Sequence, residues 1–172
     1  MKRILFIVIA LCMCFAAFSQ ETEKVKSEAT NEVKLNLLMS VLSFPEISYE
    51  RVWTNNFGVG LSAAVAFDSD NNFQITPFGR FYFGGNPDKA FFIEMNAAFA
   101  GYKKYVYDDY YFYSSYLPTK KNTLDFGMGF ATGYKYVNSK GFVGELYLGL
   151  GRIFDNNERF YPRVGISVGK QF

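Results

Sequence analysis

Apolar and polar side chains alternate with a period of two along most of the chain after residue 31, which predicts β-strands rather than helices. The segment 57–67 is typical, with an apolar series on one face, and glycine, serine and alanine on the other. A strand rises ~3.3 Å per residue, so at a tilt of ~40° this segment covers a height of roughly 25 Å. That height matches the apolar band of a transmembrane barrel.

The same alternation predicts eight antiparallel strands, at 32–43, 46–53, 57–67, 73–83, 91–99, 124–135, 145–151 and 163–172. The links at 54–56, 84–89 and 138–141 are short and rich in turn-forming residues. The one long link, 103–122, follows the fifth strand, so it emerges at the end opposite the two termini. Short turns at one end and a longer loop at the other are typical of an up-and-down transmembrane β-barrel.

The distribution of glycine indicates which face points inward. Nine of the 15 glycines lie on the polar faces, at 58, 60, 127, 129, 133, 149, 151, 165 and 169. The large apolar residues lie on the opposite faces. A soluble barrel such as a lipocalin would pack its large apolar residues inward. The pattern therefore predicts an all-β barrel with lipid outside. The mean hydropathy of −0.02 is near zero because it averages an apolar face with a polar one.

The N-terminus resembles a secretory signal. Basic residues precede an apolar run from Ile4 to Phe18, and Ala17 and Ser19 are small residues placed for a cleavage after residue 19. The alternative, an uncleaved anchor, is disfavoured because the run is short for a membrane span. We expect residues 1–19 to be removed, 20–31 to form a flexible periplasmic lead-in, and 32–172 to form the barrel.

Removal of the signal changes the composition of the chain. It takes both cysteines, and it takes Lys2 and Arg3 but no acidic residue, which leaves 16 basic and 16 acidic groups. This balance gives no indication of nucleic-acid binding.

Three segments carry a family resemblance: Pro45–Arg51, the following Phe57–Leu61, and the terminal Phe172. With them the mature chain resembles the small eight-stranded outer-membrane β-barrel proteins of Gram-negative bacteria, many of unknown function. The resemblance implies an outer-membrane location, contact with lipid and lipopolysaccharide, and recognition of Phe172 by the barrel-assembly machinery. Val164, Ile166 and Val168 match the alternation of that assembly signal, and Lys170 departs from it.

Ionisable residues occur at inward positions of the predicted barrel: Lys34, Glu46, Glu50, Arg80, Glu94, Asp125, Lys135, Glu145 and Arg163. Such groups must be paired or hydrated, because unpaired burial costs several kcal/mol. One interpretation is a path for ions or protons. The other, which we favour, is a network of salt bridges that closes the lumen. Six rings are expected to fill the space over the glycines: Phe78, Tyr82, Phe92, Tyr102, Tyr147 and Tyr161.

The link 103–122 is rich in tyrosine, with Tyr105, Tyr107, Tyr110, Tyr111, Tyr113 and Tyr116 interleaved with serine and aspartate. Tyrosine and serine together are typical of binding surfaces. This link is the candidate extracellular recognition loop, with an unidentified ligand. The alternative, which we favour, is that strands five and six continue beyond the membrane as a hairpin whose tyrosines pack on one another or on lipopolysaccharide.

No feature of the sequence predicts an enzyme, a cofactor or a metal site. The chain has no histidine, so the usual general base is missing, and no serine lies in a recognisable nucleophile motif. The acidic stretches 68–72 and 155–158 lack the spacing of a calcium loop and are expected to be hairpin turns. Two function classes remain: a structural or surface-interaction barrel, and a narrow pore or transport pathway for small or apolar solutes.

Overall fold

The computed structural model describes residues 30–66, 73–106, 119–154 and 159–172. They form one closed antiparallel barrel in which each strand pairs with the next and the first pairs with the last. In chain order the elements are β1 (Thr30–Asn36), α1 (Leu37–Val41), β2 (Glu46–Val52), β3 (Phe57–Val65), β4 (Phe73–Tyr82), β5 (Lys89–Val106), β6 (Thr119–Val137), β7 (Phe142–Ile153) and β8 (Phe160–Gln171). The predicted eight-stranded meander is confirmed.

Burial alternates along the strands with the large apolar residues outside. In β7, Leu146, Leu148 and Leu150 are 62%, 70% and 64% exposed, while the intervening Glu145 and Tyr147 are buried. A water-soluble barrel would leave this apolar belt in contact with water at a large free-energy cost. The exposed apolar belt and the buried charges therefore match the predicted arrangement, with lipid outside.

The two ends of the barrel differ. The turn end holds Thr30, Phe172 and the three short turns, at 53–56, 83–88 and 138–141. The loop end holds the remaining connections. There β5 and β6, with 18 and 19 residues, extend beyond β1 and β2, which have seven residues each. Residues 103–106 and 119–122 are paired strand, with Lys103 opposite Asn122, as the hairpin interpretation of this link predicts.

The first predicted strand, 32–43, is wrong at both ends. β1 begins at Thr30 and ends at Asn36, where the chain turns into the short helix α1. The Asn36 side chain accepts a hydrogen bond from the Met39 backbone N–H at 3.2 Å and caps this helix. The adjacent apolar residues Leu37, Leu38 and Met39 break the period of two and remove the reason for a strand. Among the described residues, no helix has the length and apolarity needed to cross a membrane.

Candidate functional site

The lumen of the barrel is filled by charged side chains that the period-two pattern placed inward. Eight of the nine predicted residues are buried there: Lys34, Glu46, Glu50, Arg80, Glu94, Lys135, Glu145 and Arg163. Asp125 has the same inward parity but lies nearer the loop end, where its side chain is 11% exposed and accepts a hydrogen bond from Arg159.

Lys34 lies at the centre of three carboxylates. Its Nζ donates to Glu50 Oε2 at 2.5 Å, to Glu145 Oε1 at 2.7 Å and to Glu32 Oε2 at 3.1 Å. All four side chains are almost completely buried. One oxygen from each of the three glutamates lies within 4.8 Å of the others, which is the spacing of a metal site. The Lys34 ammonium group already binds these carboxylates, so the cation of this cluster is supplied by the protein itself.

Glu32 is a site residue that the sequence reasoning missed. It lies two positions before Lys34 in β1 and is completely buried. Side chains two apart in a strand point to the same face, so its parity with Lys34 was the signal that could have found it.

Arg80 connects three of the strands across the lumen. Its Nη1 donates to Glu50 at 2.8 Å and to Glu145 at 3.0 Å, and its Nε donates to Glu94 at 2.8 Å. The guanidinium also lies over the rings of Phe78 and Phe92, at 4.6 and 4.3 Å from their centroids. This combination of planar hydrogen bonding and ring stacking is specific to arginine, so lysine could not replace it.

Arg163 extends the network towards the loop end. Its Nε donates to Glu94 at 2.7 Å and its Nη1 donates to Glu46. Glu46 also accepts from the Asn36 side-chain amide at 3.0 Å and from the Tyr147 hydroxyl at 3.3 Å. The start of β2 is therefore bonded to the end of β1 and to β7 and β8.

Lys135 extends the same network towards the turn end. Its Nζ donates to Glu32 Oε1 at 3.0 Å and to the Tyr82 hydroxyl at 3.0 Å. Tyr82 in turn donates to Glu50 at 2.5 Å. The Gln171 side-chain amide donates to Glu32 at 3.2 Å and to Asp88 at 2.9 Å, which carries the network to the last strand and to the β4–β5 turn.

Five acidic and four basic side chains form this lumen network within the described part of the chain: Glu32, Glu46, Glu50, Glu94, Glu145, Lys34, Arg80, Lys135 and Arg163. Each of them is hydrogen-bonded to at least one group of opposite charge. The bonds run without a break from Gln171 at the turn end to Asn36 at the loop end. The nine residues come from seven of the eight strands, all except β3, so the arrangement can hold these seven strands in one register and fill the bore.

Aromatic rings fill the remaining lumen above the inward glycines. The Phe78 ring covers Gly60, where a Cβ atom would lie 2.3 Å from the ring, and the Tyr147 ring covers Gly165 at the same distance. Tyr82, Phe92 and Tyr161 are also buried, as predicted. The sixth predicted ring belongs to Tyr102, whose backbone lies in β5.

The residues of the candidate recognition loop divide into two groups. Tyr105 lies in β5, opposite Lys120 of β6. Tyr107, Tyr110, Tyr111, Tyr113 and Tyr116 lie outside the described residues, as do the acidic stretches 68–72 and 155–158 and the signal segment 1–19. The pairing of 103–106 with 119–122 agrees with the hairpin alternative for the part of the link that the structure describes.

The C-terminal segment completes the barrel at the turn end. Phe172 and Asn31 exchange backbone hydrogen bonds of 2.9 Å in both directions. Lys170, which departs from the assembly-signal pattern, points outward and donates its amine to the Lys140 carbonyl while lying 4.6 Å from the Phe142 ring centroid. Its charge thus reaches the rim of the barrel while its methylene stem follows the outer wall.

Comparison with known proteins agrees with the fold. No protein-family model and no curated protein matches the chain. Among solved structures, the N-terminal β-barrel domain of Pseudomonas aeruginosa OprF is similar, with a TM-score of 0.53 and 13% identity over 87% of this chain and 100% of that one. The Yersinia pestis outer membrane protein Ail, solved in a phospholipid bilayer nanodisc, matches over 86% of this chain and 100% of its own, with 11% identity and a TM-score of 0.45. The likeness to the OprF domain shows that the chain has the closed eight-stranded fold of an outer-membrane β-barrel.

Proposed function

We propose that the protein is a non-enzymatic barrel of the bacterial outer membrane with a closed lumen, which acts as a structural or surface-interaction protein. Export through the cleaved signal, insertion by the barrel-assembly machinery through Phe172, and contact with lipid and lipopolysaccharide belong to this proposal. In it the turn end faces the periplasm and the loop end faces outward. The exposed apolar belt of the barrel supports this placement.

The closed lumen is inferred from the unbroken hydrogen-bond network that runs from Gln171 to Asn36. An aqueous channel would need water to separate ion pairs such as Arg80–Glu94 at 2.8 Å, whose members are completely buried. Removing the partner of a buried charge costs about 3–5 kcal/mol, so spontaneous opening of this kind is rare. Paired charges thus favour a structural lumen over the pore alternative.

Single-channel recording in planar bilayers tests this proposal. The chain from residue 20 to 172 should produce no steady conductance after insertion, which circular dichroism of the same preparation in vesicles verifies. The double variant Arg80→Ser/Arg163→Ser provides the control, because it removes the two arginines that cross the lumen and should conduct. Stable, uniform openings by the unaltered protein would refute the closed lumen.

Any interaction at the cell surface is assigned to the hairpin of β5 and β6. This hairpin has the longest strands in the described structure, and the sequence between those strands contains five of the six tyrosines of the candidate loop. Deleting residues 107–116 should abolish binding of the protein to whole-cell surface fractions and to lipopolysaccharide while the barrel stays folded. If the shortened protein binds as well as the full one, the hairpin is not the interaction element.

A further inference from the structure

The seam between the first and last strands is closed over only part of its height. β1 pairs with β8 from Glu32–Gln171 to Asn36–Ser167, and β8 continues towards the loop end as far as Phe160. Within the described residues, the segment 160–166 of β8 therefore has no strand partner on its β1 side. The helix α1 lies against β8 in the place that a longer β1 would take.

Two side chains reduce the number of backbone groups that this edge of β8 leaves without a strand partner. The Asn36 side-chain amide donates to the Val164 carbonyl at 3.0 Å, which replaces one hydrogen bond of the missing ladder. Even-numbered residues of β8 direct their backbone polar groups towards β1, since Asn31 and Phe172 exchange hydrogen bonds there. Pro162 is one of these even-numbered residues. Proline has no backbone N–H that needs a partner, so it suits an unpaired sheet edge.

A cavity of about 210 Å³ lies behind this seam. Its lining includes Met39 of α1, Phe44, the inward residue Ala64 of β3, and Pro162 and Val164 of β8. Pro162 and Val164 belong to the outward-facing set of β8, whereas Ala64 is buried in the lumen. The cavity is thus lined by residues of both the inward and the outward sets, beside α1 and the edge of β8.

The polar side chains that line the cavity are already bonded to other protein groups. Arg163 donates to Glu46 and Glu94, and Gln74 donates to Thr76 at 3.0 Å. The Tyr161 hydroxyl donates to Asn96 at 2.6 Å. A polar ligand would have to compete with these bonds, whereas an apolar one only has to fill the space.

The outer surface of α1 indicates where an apolar ligand would come from. Leu37, Val41 and Leu42 are exposed, and the helix contains no charged residue. Val164 lies eight residues from Phe172 along β8, roughly 20 Å at ~3.3 Å per residue and a tilt of ~40°. This height falls within the ~25 Å apolar band of a transmembrane barrel, near its loop end. The edge of β8 beside the cavity therefore lies at the depth of the hydrocarbon.

We propose that this seam cavity binds one hydrocarbon chain of an outer-leaflet membrane lipid, which enters between α1 and the free edge of β8. The volume of about 210 Å³ exceeds the ~150 Å³ of an apolar cavity that binds benzene, so it has room for a segment of one hydrocarbon chain. The inference rests on the membrane placement proposed above and is independent of the β5–β6 hairpin. It assigns the barrel a lateral lipid site in addition to its closed lumen.

Photolabelling from within the bilayer tests the site. The chain from residue 20 to 172 is reconstituted in phosphatidylcholine vesicles in which one lipid chain carries a mid-chain diazirine, and labelled residues are mapped by mass spectrometry. Lipid around the barrel labels only outward residues such as Leu148 and Phe130. A chain in the cavity also labels inward residues, and we expect labelling at Ala64 and Thr76.

Two neighbouring alanines provide a matched pair of variants. Ala64 lines the cavity, whereas Ala63 is exposed on the outer face of the same strand. Ala64→Leu should reduce the inward labelling at least tenfold and leave the outward labelling unchanged, whereas Ala63→Leu should change neither. Met39→Trp fills the same space from α1 and should act like Ala64→Leu if that variant does not fold, as judged by circular dichroism.

Each of the other outcomes is decisive. Labelling confined to outward residues would overturn the lipid site and leave the membrane placement intact. Inward labelling that survives both Ala64→Leu and Met39→Trp would also overturn it, because the chain would then lie elsewhere in the lumen. No labelling of any residue would overturn the membrane placement together with the site.

Discussion

Replacement of Lys34 by methionine is a direct test of how the lumen is held together. Methionine keeps much of the volume and apolar character of the lysine stem but removes the ammonium group, which makes three hydrogen bonds of 2.5, 2.7 and 3.1 Å to Glu50, Glu145 and Glu32. A hydrogen bond to a charged group contributes about 1.5–3 kcal/mol, so three give an upper bound of about 4.5–9 kcal/mol. Each glutamate keeps a second cation, either Arg80 or Lys135.

We therefore expect Lys34→Met to lower the free energy of unfolding by about 3–5 kcal/mol, the range for a broken buried ion pair. Urea unfolding in phospholipid vesicles measures this, with the fluorescence of Trp53, the single tryptophan, as the signal. Lys140→Met, at an exposed turn residue, is the control and should change stability by less than about 0.5 kcal/mol. A loss below about 1 kcal/mol in Lys34→Met would refute the reasoning and indicate that water hydrates the three carboxylates.

Three further predictions concern the cluster, the packing and the outer wall. Lys34→Ala leaves space among three carboxylate oxygens within 4.8 Å, so millimolar Ca²⁺ should raise its unfolding midpoint and leave that of the unaltered protein unchanged. Gly60→Ala should cost about 1–3 kcal/mol in urea unfolding, because its Cβ would lie 2.3 Å from the Phe78 ring, whereas Gly144→Ala, with open space around it, should cost little. Leu148→Arg should cost about 2–4 kcal/mol in vesicles, whereas Leu148→Met, which keeps an apolar side chain at the same outward position, should cost less than about 1.5 kcal/mol.

The faces of the strands could be predicted from the sequence because the period of two is a local property. Once Leu146, Leu148 and Leu150 are assigned to one face, Glu145 and Tyr147 must occupy the other. Closure into eight strands then follows from counting strands and links. The inward positions of Arg80 and Glu94 could therefore be predicted without knowing which residues they bond to.

Partners and strand ends could not be predicted in the same way. Which carboxylates surround Lys34 depends on the relative register of β1, β2 and β7, and the alternation within each strand does not contain that information. The end of β1 at Asn36 depends on competition between a helix cap and a short strand pairing, which local propensity decides only weakly. The alternation assigns Asp125 to the inward face, but its hydrogen bond to Arg159 reaches a residue outside the predicted strands. β6 is also longer than the predicted segment 124–135.

The position of Lys34 in the first strand has a consequence for the order of folding. Its hydrogen bond to Glu145 joins residues 111 positions apart, and the bond of Gln171 to Glu32 joins residues 139 positions apart. The bond of Gln171 to Glu32 cannot form until β8 has met β1, and the bond of Lys34 to Glu145 cannot form until β7 faces β1 across the lumen. Before then these charges keep their water. Closure of the seam and dehydration of the interior are therefore one late, cooperative event, and a barrel that has lost its C-terminal strand would remain open and wet.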